Sequence, residues 1–232
     1  MNLPIIFLGP SLNINKAKKI IDADFKPPAK KGDFINLNLL AERRDIVLID
    51  GVFLQEYPPS PIEVFQVINN KNFKVYGASS IGALRAVELE KFGMKGIGKI
   101  FELFKKNIIN SDDEIAVTFD SHYNILSEAM IDIRYNIFLS WKQGIIDKET
   151  KQMMVNLAKR IYFPFRTYEN IIKKSFHHFP SKEKYISKFS NYISINKVSL
   201  KELDTIHALQ YISSLPRILT FHKLFYIILD NV

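Results

Sequence analysis

The stretch Lys74-Val-Tyr-Gly-Ala-Ser-Ser-Ile-Gly-Ala-Leu-Arg85 runs from a β-prone triplet, through small residues, into a helical pattern. It reads as a strand over Lys74–Tyr76, a tight turn over Gly77–Gly82 and a helix over Ala83–Glu90. Upstream lies a stronger strand, Ile46-Val-Leu-Ile-Asp50, stopped by Gly51. Pro61 starts the helix between them, with Ile62, Phe65 and Ile68 at helical spacing. Farther upstream, the apolar run Ile5–Leu8 ends in Gly9-Pro10-Ser11 and reads as a first strand. Asn13–Ile21 is a weak helix, Phe25–Asp33 a Pro- and Lys-rich loop, and Asp33 the cap of a helix running to about Arg43. Strands alternating with helices predict an α/β fold: a small, mostly parallel sheet with flanking helices.

The second half reads as helical. Ser127–Trp141 carries Ile131, Tyr135 and Phe138 at helical spacing and stops at Gly144. Asp147–Phe163 is another helix, and Ser199-Leu-Lys-Glu202 is a capping box opening a helix to about Ser213. Pro216 starts a last apolar helix with Ile218, Phe221, Leu224, Phe225 and Ile228. The expected organisation is an α/β core over residues 1–120 and a helical extension over residues 121–232, packed on the core and used for partner docking.

Composition narrows the function. The chain has 232 residues, 47% of them hydrophobic, enough to bury a sizeable core. It has no cysteine, which excludes disulfides, thiolate catalysis, Cys-ligated metal and a persulfide of its own. The start, Met1 to Pro10, lacks a basic segment and reads as a buried strand rather than a signal peptide; no apolar run has membrane-spanning length. The expectation is a cytoplasmic protein with no membrane contact. Residues 121–232 hold 16 Lys and Arg against 9 Asp and Glu, whereas residues 1–120 hold 16 against 15. A basic half suits an acidic partner. No groove-reading motif accompanies it, so nucleic acid is not expected.

Parallel sheets place ligand sites outside the carboxyl ends of their strands. Three segments fall there: Gly9-Pro10-Ser11, Asp50-Gly51 and the Gly77–Gly82 turn. A serine on a sharp strand-to-helix turn sits where the free N–H groups of a helix N-terminus can stabilise an oxyanion. Ser80 is followed by small residues that permit close approach, and Ser79 is the near alternative. Neither completes a G-x-S-x-G elbow: Ser79 lacks the second glycine and Ser80 the first. A turn that merely caps its helix, or that holds a phosphate or sulfate, would look the same. No P-loop or complete dinucleotide fingerprint supports a nucleotide enzyme.

A serine nucleophile needs a base. All five histidines, at positions 122, 177, 178, 207 and 222, lie in the second half, with no spacing that returns them to the turn. Lys30 and Lys31, in Pro-Pro-Ala-Lys-Lys-Gly-Asp33, are the other option. A lysine acts as base only when neutral, a form favoured by burial or by a neighbouring cation such as Lys30 beside Lys31, or Arg85. Asp50 can orient a lysine, bind a cation or cap the turn at Gly51, and Glu63 can reach the same mouth. Asp112-Asp113-Glu114 reads as a solvated acidic turn rather than a metal site; no metal and no cofactor are expected.

Taken in order, Phe7–Leu12 (FLGPSL), Pro27–Asp33 (PPAKKGD), Ile49–Phe53 (IDGVF), Pro61–Val64 (PIEV), Val75–Leu89 (VYGASSIGALRAVEL), Phe92–Gly98 (FGMKGIG) and Asp112–Val117 (DDEIAV) resemble the TfuA-like family. The resemblance covers about residues 5–120 and implies a fold outside the common superfolds. It also implies a partner, a YcaO-type enzyme that replaces a backbone amide oxygen with sulfur in a post-translational modification, and a second partner, a ThiS-like ubiquitin-fold sulfur carrier. By the same resemblance, the accessory protein is expected to hydrolyse the carrier's C-terminal thiocarboxylate, release sulfide and help the YcaO enzyme bind its peptide or protein substrate. The family's proposed Ser-Lys pair maps to Ser80, with Ser79 as alternative, and to Lys30, with Lys31 as competitor. Ile81 and Gly82 then supply oxyanion N–H groups, and Arg85 holds the carrier terminus or pairs with Glu88. Ser11, Asp50 and Gly51 line the same mouth. The competing expectation is a non-catalytic adaptor that recruits peptide or carrier to the YcaO enzyme.

Overall fold

A computed structural model describes residues 2–38, 40, 43–52 and 56–216. The first half forms one parallel sheet of five strands: β1 (Ile5–Phe7), β2 (Asp24–Lys26), β3 (Arg44–Leu48), β4 (Phe73–Ala78) and β5 (Lys95–Ile97), in the order β2-β1-β3-β4-β5. That is the flavodoxin-like doubly wound order, with its switch point between β1 and β3. The expectation of an uncommon fold is thereby corrected. Strands β2 and β5, of three residues each, carry no apolar run and do not announce themselves in the sequence.

Five helices follow the strands: α1 (Ile14–Lys18), α2 (Asp33–Leu37), α3 (Pro61–Asn69), α4 (Ile81–Leu89) and α5 (Lys99–Lys105). Asp33 does not cap α2; Gly32 does, at φ +95°, and the Asp33 carboxylate turns back to accept the Lys30 N–H. Helix α3 begins at Pro61, as expected; Ser60 caps it by accepting the Glu63 N–H, and its hydroxyl donates to the Glu63 carboxylate.

Four helices form a layer of their own: α6 (Met130–Lys142), α7 (Lys148–Arg160), α8 (Tyr168–His178) and α9 (Glu183–Asn196). They bury Met130, Ile137, Met154, Ile171 and Phe189 together. Helix α10 (Leu200–Ser214) then returns to the sheet. Strand residues alternate between two faces, and in the central strands β1, β3 and β4 both faces are largely buried, so these read as apolar runs. Ile5, Phe7, Ile46, Leu48 and Val75 pack with α2 to α5. Ile6, Val47, Tyr76 and Ala78 pack with α1 and with Ala208, Leu209 and Ile212 of α10. The apolar helix expected after Pro216 lies outside the described residues.

Carboxylates fix the helical part on the sheet. Asp132 of α6 accepts the N–H groups of Leu200 and Lys201 and the Ser199 hydroxyl, capping α10. Asp204 of α10 accepts the N–H groups of Lys99 and Ile100, capping α5. Asp113 and Glu114 are not in a solvated turn. Arg134 grips Glu114 through two bonds of 2.8 and 2.9 Å, Lys159 bridges both carboxylates, and buried Arg166 holds Asp113 at 2.8 Å. Among the described residues, no helix is long and apolar enough to cross a membrane.

Candidate functional site

The carboxyl ends of β1, β3 and β4 meet the Pro27–Lys31 segment. Asp50, just past β3, is buried and faces the loop after β1. One oxygen accepts the N–H groups of Gly9 and Ser11; the other accepts the Ser11 hydroxyl at 2.6 Å. Asp50 therefore caps the β1 loop, not Gly51, and Ser11 is held by it. Ala29 bridges directly to Gly51: its N–H donates to the Asp50 carbonyl at 2.8 Å, and its own carbonyl accepts the Val52 N–H at 3.0 Å. Pro28 lies against Gly9, where a methyl group would come within 2.3 Å of its ring. The Pro-rich segment thus fills the switch-point crevice where doubly wound sheets commonly hold ligands. The rim runs from the exposed Lys30 and Lys31 to the start of α4, where Ser79 to Ala83 are buried.

At that rim the two serines separate. Ser79 takes φ +63°, a left-handed conformation disfavoured for serine, and makes the sharp turn from β4 to α4. Its side chain is fully buried, with its hydroxyl 2.9 Å from the Lys201 carbonyl and 3.3 Å from the Ser11 hydroxyl. Ser80 is the N-cap residue of α4, yet its hydroxyl makes no capping bond and has no hydrogen-bond partner among the described residues. It keeps 8% of its surface exposed. The strain falls on the residue before Ser80, unlike the G-x-S-x-G elbow, where the nucleophile itself turns.

Behind Ser80, Gly82 packs on the β3 backbone. A methyl group there would lie 1.8 Å from the Leu48 carbonyl oxygen, so only glycine fits. Its N–H donates to the Ile49 carbonyl at 3.1 Å. Gly82 is therefore not a free oxyanion donor; its role is close packing. The Ile81 N–H, in the first turn, meets no acceptor among the described residues. Gly51 lies against Ile81 and Ala29, which brings the Lys30 loop to the same mouth.

The lysines do not join Ser80 by a hydrogen bond. Lys30 and Lys31 have exposed side chains; the Lys30 ammonium lies 3.8 Å from Glu56, and the Lys31 N–H donates to the Tyr57 carbonyl. Glu63, buried, accepts the Gly32 N–H at 2.8 Å and so ties α3 to this loop. Arg85 is engaged structurally, with Glu88 at 2.7 Å and the Pro59 carbonyl at 2.8 Å.

Sequence reasoning missed Lys201. It is buried beneath the serine turn, its ammonium donates to the Ile115 carbonyl at 3.0 Å, and its own carbonyl accepts the Ser79 hydroxyl. Burial pushes its pKa down, against the opposing charges of Asp50 and Asp132. The one signal was a lysine in the first turn of a helix, where the macrodipole disfavours a cation. Among the described residues, no group of His, Asp and Glu has the geometry to hold a metal ion.

A comparison with curated proteins gives no match. A family model described as TfuA-like protein matches residues 50–167, from the aspartate behind β3, through the serine turn, to the α7–α8 connection. The chain therefore belongs to the TfuA-like family, the accessory proteins of YcaO-type enzymes.

Proposed function

We propose that this protein hydrolyses the C-terminal thiocarboxylate of a ThiS-like sulfur carrier and releases sulfide for a YcaO-type enzyme that thioamidates a peptide backbone. It also assists that enzyme in binding its peptide. The observation that carries this reading is Ser80: an uncommitted hydroxyl at the start of a nine-residue helix, beside the Ile81 N–H.

Lys30 is the proposed base, and Lys31 competes for the role. An exposed ion pair such as Lys30–Glu56 is worth little, about 0–1 kcal/mol, so it breaks readily when a carrier tail lies across the loop. Burial of the loop under that tail favours the neutral amine, which takes the Ser80 proton as Oγ attacks the thiocarboxylate carbon. The Ile81 N–H and the helix start stabilise the tetrahedral oxyanion. As the C–S bond breaks, the lysine ammonium returns the proton to sulfur, and HS⁻ leaves. Water, deprotonated by the same amine, opens the ester; the ammonium so formed returns its proton to the departing Ser80 Oγ, and the new carboxyl loses its proton to solvent. The products are the carrier carboxylate and free Ser80.

The test uses thiocarboxylated carrier, read by intact mass and sulfide assay. Wild type converts thiocarboxylate to carboxylate; Ser80→Ala lowers the rate by roughly a thousandfold or more. Lys30→Ala and Lys31→Ala separate the two candidate bases. Full hydrolysis by folded Ser80→Ala rejects the reading.

A non-catalytic adaptor is the second reading, favoured by the Lys30 ammonium resting on Glu56 rather than on Ser80. It predicts that a Ser80→Ala, Lys30→Ala double variant still captures the YcaO enzyme and supports thioamidation. Loss of thioamidation with capture intact rules it out.

A further inference from the structure

The helical layer carries a groove far from the serine turn in sequence. The carboxyl-terminal halves of α7 and α8 enclose a cavity of about 460 Å³. Its apolar lining comes from Met153, Leu157, Ile161 and Phe179. Asn156, Arg160, Lys174 and His178 supply the polar lining, and no carboxylate is among the lining residues. Lys174 and His178 are four residues apart on α8 and share one of its faces. Neither Arg160 nor Lys174 nor His178 has an acidic partner within salt-bridge distance among the described residues, although Lys159, Arg166 and Lys182 nearby are all paired.

Cations in the last turn of a helix favour its C-terminus, and that accounts for Arg160 and His178 taken singly. It does not account for an apolar floor, for Lys174, or for the lack of any carboxylate. Two of the carbonyls at the end of α7, which would repel an anion, are already taken: the Arg166 guanidinium donates to that of Ala158 and to that of the C-cap residue Ile161.

We infer that the α7–α8 groove binds an acidic peptide segment of a protein partner, its aliphatic side chains on the Met153–Leu157–Phe179 floor and its carboxylates on Arg160, Lys174 and His178. Charge complementarity selects this occupant, since the half that carries the groove holds 16 Lys and Arg against 9 Asp and Glu. A floor built mainly of aliphatic side chains suits a peptide better than a nucleic acid, whose bases seek several aromatic faces.

Fluorescence anisotropy on the full chain tests this, with a labelled peptide of alternating Glu and Leu as probe. Arg160→Glu with Lys174→Glu should weaken binding by about tenfold or more, and the charge-removing Arg160→Gln with Lys174→Gln by less, both with unchanged melting curves. Replacing the probe's Leu by Ser should weaken it to a similar degree. Binding unaffected by either pair of substitutions, equal binding of the Glu-Ser peptide, or equal competition by polyuridylate would each overturn the inference.

Discussion

At the scale of single residues, the site depends on what cannot change around Ser80. Gly82 lets α4 start against the β3 backbone, and its N–H fastens the turn to the Ile49 carbonyl. Gly82→Ala forces a methyl group into the Leu48 carbonyl, an overpacking with no flexible neighbour to yield. The expected cost is about 3 kcal/mol, read as a lower urea midpoint with unchanged m-value. Unaltered stability would show that the helix start is looser than described here. The serine turn was legible as a turn because small residues cluster between an apolar strand and a helical pattern. Which serine is free was not legible. That depends on Ser11 and on the Lys201 carbonyl, 68 and 122 residues away from Ser79.

Among the elements, sequence patterns identified β1, β3, β4, α1, α2, α3, α4, α6, α7 and α10, and did not pick out α5, α8 and α9. They missed β2 and β5, where Asp24-Phe25-Lys26 and Lys95-Gly-Ile97 carry little hydrophobic signal and are held by pairing to one neighbouring strand each. They also missed how the second half engages the first. Ser199 was read correctly as the cap of α10, accepting the Glu202 N–H, but the Glu202 carboxylate goes to Lys16 and does not close a capping box; nothing local shows that Asp132 and Asp204 cap helices other than their own. Burial pushes the Asp204 carboxyl up, opposed by the N–H groups of Ile100 and Lys99. Asp204→Ala leaves those two N–H groups without their acceptor. It should cost about 1–2 kcal/mol and speed amide exchange at Ile100 more than in α3. Equal protection in both helices would contradict the cap.

For the whole molecule, the buried ion-pair network predicts the response to acid. Burial raises the Asp113 and Glu114 carboxyl pKa values, but bonds from Lys159 and Arg166 to the one and from Arg134 and Lys159 to the other outweigh it and hold both below the ordinary range. The unfolded chain therefore binds protons first as pH falls. Their contribution is complete above about pH 5 and is lost as pH drops below about 4. Asp132 and Asp204, raised by burial, act with the opposite sign. Arg166→Met should cost about 3 kcal/mol at neutral pH and flatten the acid limb of a stability-against-pH curve; an unchanged acid limb would remove the network from the account.

The central claim is that Ser80 carries the carrier's acyl group through hydrolysis. Rapid quenching of wild type with thiocarboxylated carrier, followed by proteolysis and mass analysis, tests it most directly. The account predicts an ester-linked carrier tail on Ser80, absent in Ser80→Ala, with sulfide appearing in step with its formation. Sulfide release at the wild-type rate from Ser80→Ala, or a tail linked to Ser79 instead, would contradict it.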